Sequence, residues 1–407
     1  MNKFLIKNGR VIDPVTHRDA VGDILIVEGV VTGTGRIANP EGVNMIDAAG
    51  KLVIPGLVDL HVHLRDMEEA DKETIESGTR AARKGGVTSL FAMPNTRPPL
   101  DSIEILTRYM KLAEKTAHVR VYLTGSITRG LDGKELTDFK SFSEKLGIKM
   151  VTDDGYDVND EKLLESAYQK AAEIGLFLLT HPEAENEKTG SNEREWKAVE
   201  RGIKLALKTG AKAHFTHLST RESIGLVRQA KKESDKITCD ITPHHFTFTE
   251  KEAERSGTLA KVNPPLRKEA DRLALIEGVR DGTVDAIVTD HAPHRAQDKT
   301  DDWEKSAYGI SGLETLLPAA ITELHLKNGI DLFTVIRLMT SSPAGIAGID
   351  AGRLQAGADA DLVIVDMEQK KTVDRMTFVS KGKNTPFHGM ELKGWPVMTF
   401  CQGTLYQ

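Results

Sequence analysis

Cysteine is almost absent: Cys239 and Cys401, far apart, are the only two in 407 residues. That excludes a disulfide framework and fits a reducing, cytoplasmic setting. No apolar stretch approaches the ~20 residues that a membrane-spanning helix needs. The opening residues, Met-Asn-Lys-Phe-Leu-Ile-Lys-Asn-Gly-Arg, turn polar too soon for the core of a secretory signal. A basic excess is missing too. The formal charge is −6, and lysine and arginine are scattered, so no face for nucleic acid is expected. There is no low-complexity linker. What remains is an ordinary soluble composition, 39% hydrophobic and 28% charged, in a chain long enough for a large core.

The two ends of the chain read alike. Phe4-Ile6, Asp23-Val27, Val30-Val31 and Met45-Ile46 are short β-like runs, broken at Asn8-Gly9 and Ala49-Gly50. Ala360-Asp366, Thr372-Ser380 and Val397-Tyr406 have the same character. Residues 1–52 and 351–407 are therefore expected to build one small β-sandwich domain together.

Between them, residues 53–350 alternate apolar runs with helical patterns. Strands are expected to end at His63, Met93, Ile127, Asp154, His181, Ser219, Phe246 and His291. Helices are expected over Thr74–Lys84, Ile103–Ala117, Glu161–Ile174 and Glu222–Lys232. Eight such repeats imply a (β/α)8 TIM-like barrel. A doubly wound sheet would show a glycine-rich phosphate turn after its first strand. Here His61-Val-His63 occupies that position.

In a barrel, functional groups gather at the C-terminal ends of strands. Side chains two apart on a strand share a face, so His61 and His63 project together. The other expected ends carry Asp153-Asp154, His181, His217 and Asp290. Nitrogen and oxygen donors converging on one mouth are the materials of a zinc site, with one ion or two bridged by a carboxylate. His214 and His217 are three apart and face opposite ways, and the terminal His217 is the better ligand. Asp153 and Asp154 cannot both point inward. The adjacent His244 and His245 read as supporting groups.

Seven motifs then carry a resemblance across nearly the whole chain. They are Asp59-Leu-His-Val-His-Leu-Arg65, Met93-Pro-Asn-Thr-Arg-Pro-Pro99, Thr152-Asp-Asp-Gly155, Thr216-His-Leu-Ser-Thr220, Lys261-Val-Asn-Pro-Pro-Leu-Arg267, Thr289-Asp-His-Ala-Pro-His294 and Tyr308-Gly-Ile-Ser-Gly-Leu-Glu314. With these the sequence resembles the class I dihydroorotases of the amidohydrolase superfamily. The resemblance implies metal ligands at His61, His63, Asp154, His181, His217 and Asp290, holding one or two zinc ions. It implies that Arg65, Asn95 and His294 hold the substrate carboxylate, and that Asn263, Tyr308 and Gly309 contact the pyrimidine ring. The implied reaction interconverts N-carbamoyl-L-aspartate and dihydroorotate, a step of pyrimidine biosynthesis, with Asp290 shuttling the proton. The implied partner is that small molecule. A homo-oligomer is also implied, and association with aspartate transcarbamoylase stays open.

Three departures qualify the resemblance. Asp66-Met67-Glu68 replaces the usual Glu-Pro-Gly after Arg65, and Pro182-Glu183-Ala184 follows His181. Many relatives also bridge two metals through a carboxylated lysine. Lys149 and Asp154 are both present, on opposite strand faces, and the position of Asp154 at the mouth favours it. The alternatives are an allantoinase or hydantoinase, whose substrates need no carboxylate fork, and a non-catalytic scaffold, in which ligands would be missing.

Overall fold

A computed structural model describes residues 3–407; Met1 and Asn2, the first residues of the expected β-domain, lie outside the described residues. Two parallel sheets form the middle of the chain. One contains Leu57–Val62, Val87–Ala92 and Arg120–Leu123; the other contains Met150–Val151, Phe177–Thr180, Lys212–Phe215, Ile237–Ile241 and Ala286–Ile287. Parallel bridges from Gly125 to Val151 and from Val62 to His291 join them at both edges. The result is a closed eight-stranded parallel barrel in sequence order, which leaves no exposed edge strand.

The helices between the strands start where side chains can satisfy free backbone N–H groups. Thr74 and Ser77 make a reciprocal capping box for Ile75–Lys84. Ser102, Asp160, Ser191 and Thr220 cap the following helices through hydrogen bonds to the third helical residue. Glu161–Ile174 buries Leu164, Ala167, Tyr168 and Ala171, a stripe at three- and four-residue spacing that faces the barrel.

The expected strand ends lie past the observed ones by one to several residues, because the chain leaves the ladder before it delivers its polar group. The segment ending at Phe246 changes class: Pro243–Thr247 is a short helix capped by Thr242. Proline at its first position needs no N–H, which suits a helix start and not a strand.

Both termini contribute to one eight-stranded sheet. Its order runs Thr404–Tyr406, Glu391–Cys401, Leu362–Thr372, Leu52–Pro55, Lys3–Asp13, Arg18–Val27, Val30–Gly35, and Asn44–Asp47 pairs with Lys3–Asp13. Phe4, Ile6, Ile24, Val31, Val53, Ile364 and Phe400, drawn from across the sheet, share one core cluster, so the sheet wraps on itself as a sandwich. Asn8-Gly9 does not end a strand. It is a bulge inside Lys3–Asp13, where the register shifts between Ile6 and Gly9 and Asn8 adopts φ 63°. The expected strand Thr372–Ser380 also fails to form. Beyond Thr372 the chain leaves the sheet, turns at Arg375–Thr377 and crosses to the barrel mouth before re-entering at Glu391. No helix among the described residues is long and apolar enough to cross a membrane.

Candidate active site

The strand Leu57–Val62 delivers two imidazoles to the barrel mouth, with ring centroids 5.2 Å apart. His61 Nε2 stands 3.0 Å from Asp154 Oδ1 and 3.5 Å from Asp290 Oδ1. His63 Nε2 stands 3.4 Å from Asp154 Oδ2 and 3.2 Å from Asp290 Oδ1. The His217 ring lies 5.1 Å from that of His61, and the His181 ring lies 4.5 Å from that of His217. All six groups are buried. His217 (φ 40°) and Asp290 (φ 45°) adopt left-handed backbone conformations, a strain of about 1–3 kcal/mol per residue that the surrounding packing must hold.

Buried partners fix which imidazole nitrogen faces the cluster. Thr216 Oγ1 donates to Asp240, so at 2.8 Å it accepts from His61 Nδ1–H. The Asn95 amide N–H group donates to Asp154, so its Oδ1 accepts from His63 Nδ1–H at 2.8 Å. In the neutral rings both Nε2 atoms therefore present lone pairs to carboxylate oxygens, an arrangement that calls for a proton or a metal cation between them. His61 Nε2, Asp154 Oδ1, His181 Nδ1 and His217 Nδ1 are buried without a hydrogen-bond partner among the described residues.

Lone pairs facing lone pairs at this distance repel unless a positive charge lies between them. The electrostatics say the same. Burial opposes a charge on His61, yet the Asp154 and Asp290 carboxylates lift its pKa to about 9. Burial pushes His217 well below its ordinary value, helped by His181 and His61. Against burial, His61 and His63 hold Asp154 well below the usual carboxylate range. A divalent cation fits this donor set, and the groupings His61, His63, Asp290 and His61, Asp154, His217 each have the reach to hold one.

A cation bound only by the folded chain stabilises it, by about 2.7 kcal/mol at a free concentration about 100 times Kd. Exhaustive chelation should lower the thermal midpoint and added zinc should restore it. An unchanged midpoint would show that no tightly held ion is present.

The neighbouring residues separate by strand parity. Asp153 turns away and accepts from the backbone N–H groups of Ile127 (2.8 Å) and Thr128 (2.9 Å). Burial raises its pKa to about 6. His214 faces Asp240 at 2.8 Å, outside the cluster. His245 donates to the Pro264 carbonyl at 2.9 Å, and His244 lies beside it. Lys149 is exposed and immediately precedes its strand, Met150–Val151, whereas Asp154 follows that strand and is buried against His61.

A cavity of about 190 Å³ opens over the cluster, lined by His63, Arg65, Asn95, Asp154, His181, His217, Asn263, Asp290, Ala292, Tyr308 and Gly309 among others. Arg65 Nε is buried there without a partner among the described residues. Arg65, Asp66 and Met67 have φ of 53°, 60° and 48°. The Asp66 carboxylate pins this turn by accepting from Met67 N and Ile75 N, each at 2.7 Å. Gly309 sits at φ 140°, and a Cβ there would meet the Ala292 carbonyl oxygen at 2.6 Å, so only glycine fits. Asn95 lines the cavity, but both ends of its amide are engaged by His63 and Asp154. His294 does not line the cavity. Its Nε2 donates to the Tyr308 carbonyl at 2.8 Å; burial and the nearby Arg65 charge lower its pKa to about 3. Thr216, which with Asp240 orients the His61 imidazole, is visible in the sequence only as the first residue of the motif Thr216-His-Leu-Ser-Thr220, and Asp240 has no signal there at all.

Residues 52–406 match the amidohydrolase family. The chain belongs to the amidohydrolase family. This amidohydrolase is 40% identical to a dihydroorotase of Bacillus cereus strain B4264 and 41% identical to one of Bacillus cytotoxicus, in each case over 99% of this chain and 97% of the relative. Identity of that extent groups it with the dihydroorotases. Among solved structures it superposes on the L-hydantoinase of Arthrobacter aurescens with a TM-score of 0.91 at 28% identity, covering 100% of this chain and 96% of that one. A dihydropyrimidinase from Brevibacillus agri shares the fold, with a TM-score of 0.89 at 20% identity, covering 99% and 94%. A (β/α)8 barrel with a β-sandwich domain, hydrolysing cyclic amides, is thus the architecture and enzyme class of this chain.

Proposed function

We propose that this chain is a zinc-dependent dihydroorotase, which interconverts dihydroorotate and N-carbamoyl-L-aspartate. The observation that carries the reading is the buried, unpartnered Arg65 guanidinium nitrogen on the wall of a small cavity directly over the histidine–aspartate cluster. A cyclic amide bearing a carboxylate would use both features at once. Mixed imidazole and carboxylate donors suit zinc better than magnesium or calcium, which prefer oxygen throughout. We take the strands from Leu57–Val62 to Ala286–Ile287, with their helices, as the catalytic barrel, and the two chain ends as one composite β-domain; its sheet runs on through Leu52–Pro55, so the boundary falls a few residues after the expected residue 52.

The residues that would hold zinc are His61, His63, Asp154, His181, His217 and Asp290, with Asp154 rather than Lys149 supplying the carboxylate from its strand. Bound there, zinc supplies Lewis acidity, polarising the attacked carbonyl and lowering the pKa of water to about 7. Arg65 binds the substrate carboxylate through its planar fork and sets the ring's orientation. Asn95 holds His63 and Asp154 in place beneath it. Asn263, Tyr308 and Gly309 present the edge that the ring meets. Asp290 accepts a proton from the attacking water and returns it to the ring nitrogen as the carbon–nitrogen bond breaks. Ring closure runs the same transfers backwards and releases water.

The test is turnover of dihydroorotate and carbamoyl-aspartate by zinc-loaded protein, with hydantoin and allantoin alongside. Dihydroorotate should be the substrate. Turnover of hydantoin or allantoin in its place would move the reading to those hydrolases, and no turnover by folded, metal-loaded protein would make it a scaffold. Within this reading, Arg65→Met should raise KM about tenfold or more, the worth of a charge-assisted hydrogen bond, and leave zinc content unchanged. Equal loss of zinc would show that Arg65 supports the metal cluster instead.

A further inference from the structure

The segment that leaves the β-sandwich after Thr372 does more than connect two strands. It is anchored at the barrel mouth by Glu73, which accepts from Ser380 Oγ and from Lys381 N. Gly382 then passes so close to the barrel wall that a Cβ would lie 2.5 Å from Pro293 Cβ and 2.6 Å from Ser311 Oγ. Two residues later Asn384 is buried, with 2% exposure, between two stretches of that wall.

Every hydrogen-bonding position of the Asn384 side chain is filled. Its Oδ1 accepts from His294 N at 3.0 Å and from Ser311 Oγ at 3.0 Å. Its Nδ2 donates to the Ala292 and Gly309 carbonyls, each at 2.9 Å. The Asn384 carbonyl accepts from Ser311 N at 2.7 Å. The orientation of the amide follows from chemistry, because a backbone N–H can only donate and a backbone carbonyl can only accept.

Ala292–His294 and Gly309–Ser311 already touch through the Ala292 N–H bond to Ile310 O at 2.9 Å and a parallel bridge from His291 to Ile310. Asn384 adds a side-chain amide that ties the two stretches together on either side of that contact. Ala292, Tyr308 and Gly309 line the cavity, and His294 Nε2 donates to the Tyr308 carbonyl at 2.8 Å. None of the Asn384 bonds goes to a proposed metal ligand.

We propose that Asn384 is a positioning residue for the substrate-binding wall, through which the β-domain sets the spacing of the Ala292 and Gly309 stretches around a carboxylate-bearing ring. This rests on the dihydroorotase reading. Asn384→Asp keeps the shape but replaces two donors by an acceptor facing two carbonyls, which drives the stretches apart. The wall then moves while the zinc ligands stay where they were. A misplacement of this kind weakens binding and leaves chemistry on bound substrate largely intact.

The test compares the zinc-loaded full-length chain with Asn384→Asp and the milder Ser311→Ala, which removes one bond to Oδ1. Zinc content, thermal midpoint, KM and kcat for dihydroorotate are measured for each. Asn384→Asp should raise KM roughly tenfold, with kcat changed by less than about threefold and zinc content unchanged. Ser311→Ala should shift KM in the same direction by roughly twofold. If Asn384→Asp does not fold, the Ser311→Ala shift decides alone. An unchanged KM, or a KM rise accompanied by comparable losses of zinc content and kcat, would overturn the proposal. Absence of dihydroorotate turnover by the unaltered zinc-loaded chain would instead overturn the functional reading, and this inference with it.

Discussion

Asp290→Asn should leave a folded, zinc-binding protein whose turnover is lowered by roughly 10³- to 10⁴-fold, the upper range for removing a general acid–base group. Asp290 is 5% exposed, and its Oδ1 lies 3.2 Å from His63 Nε2 and 3.5 Å from His61 Nε2. An amide nitrogen has no basic lone pair, so the substituted side chain cannot take a proton from water and pass it to the ring nitrogen. The fold should tolerate the change because Asp290 sits at φ 45°, where asparagine is among the most easily accommodated residues. The check is kcat at saturating substrate, with zinc content measured on the same sample. A rate within about threefold of the unaltered protein would remove Asp290 from the proton transfer.

The second large effect is expected one layer further out. Asp240 is fully buried and accepts from three partners: His217 N at 2.5 Å, Thr216 Oγ1 at 3.2 Å and His214 Nε2 at 2.8 Å. Through Thr216 it fixes the His61 tautomer, and through the His217 backbone it supports that residue's left-handed conformation. In Asp240→Asn one oxygen becomes an N–H donor, which faces donors. Zinc affinity should fall about 10- to 100-fold, as when a partner that orients a ligand is removed. Stability should fall by about 1.5–3 kcal/mol, the worth of a hydrogen bond to a charged group. Competition with a chelator and the thermal midpoint of the metal-free protein measure the two separately. Unchanged zinc affinity would mean that Thr216 and Asp240 serve packing alone.

The barrel is legible in the sequence because strand and helix periods alternate, and because a parallel barrel must present its polar groups at strand ends. His61 and His63 are visible as a pair through strand parity. The opposite orientations of Asp153 and Asp154, and of His214 and His217, follow the same two-residue geometry. What the sequence does not show depends on distant partners. Asp240 is one aspartate among many until Thr216 and His61 are brought to it. The stretch Thr372–Ser380 has strand-like composition, but Asp374 accepts from Met376 N at 3.0 Å and turns the chain, and Ser380 is drawn off to Glu73. Asn384 has no local signature, since all its partners lie at least 73 residues away in sequence.

Anomalous scattering at the zinc edge, from crystals of the zinc-loaded chain, addresses the cation at the barrel mouth directly. The expected map has a peak within about 2.0–2.2 Å of His61 Nε2, His63 Nε2 and a carboxylate oxygen, with Lys149 free in solvent. A map without a peak among these side chains, from protein that still turns over dihydroorotate, would contradict it.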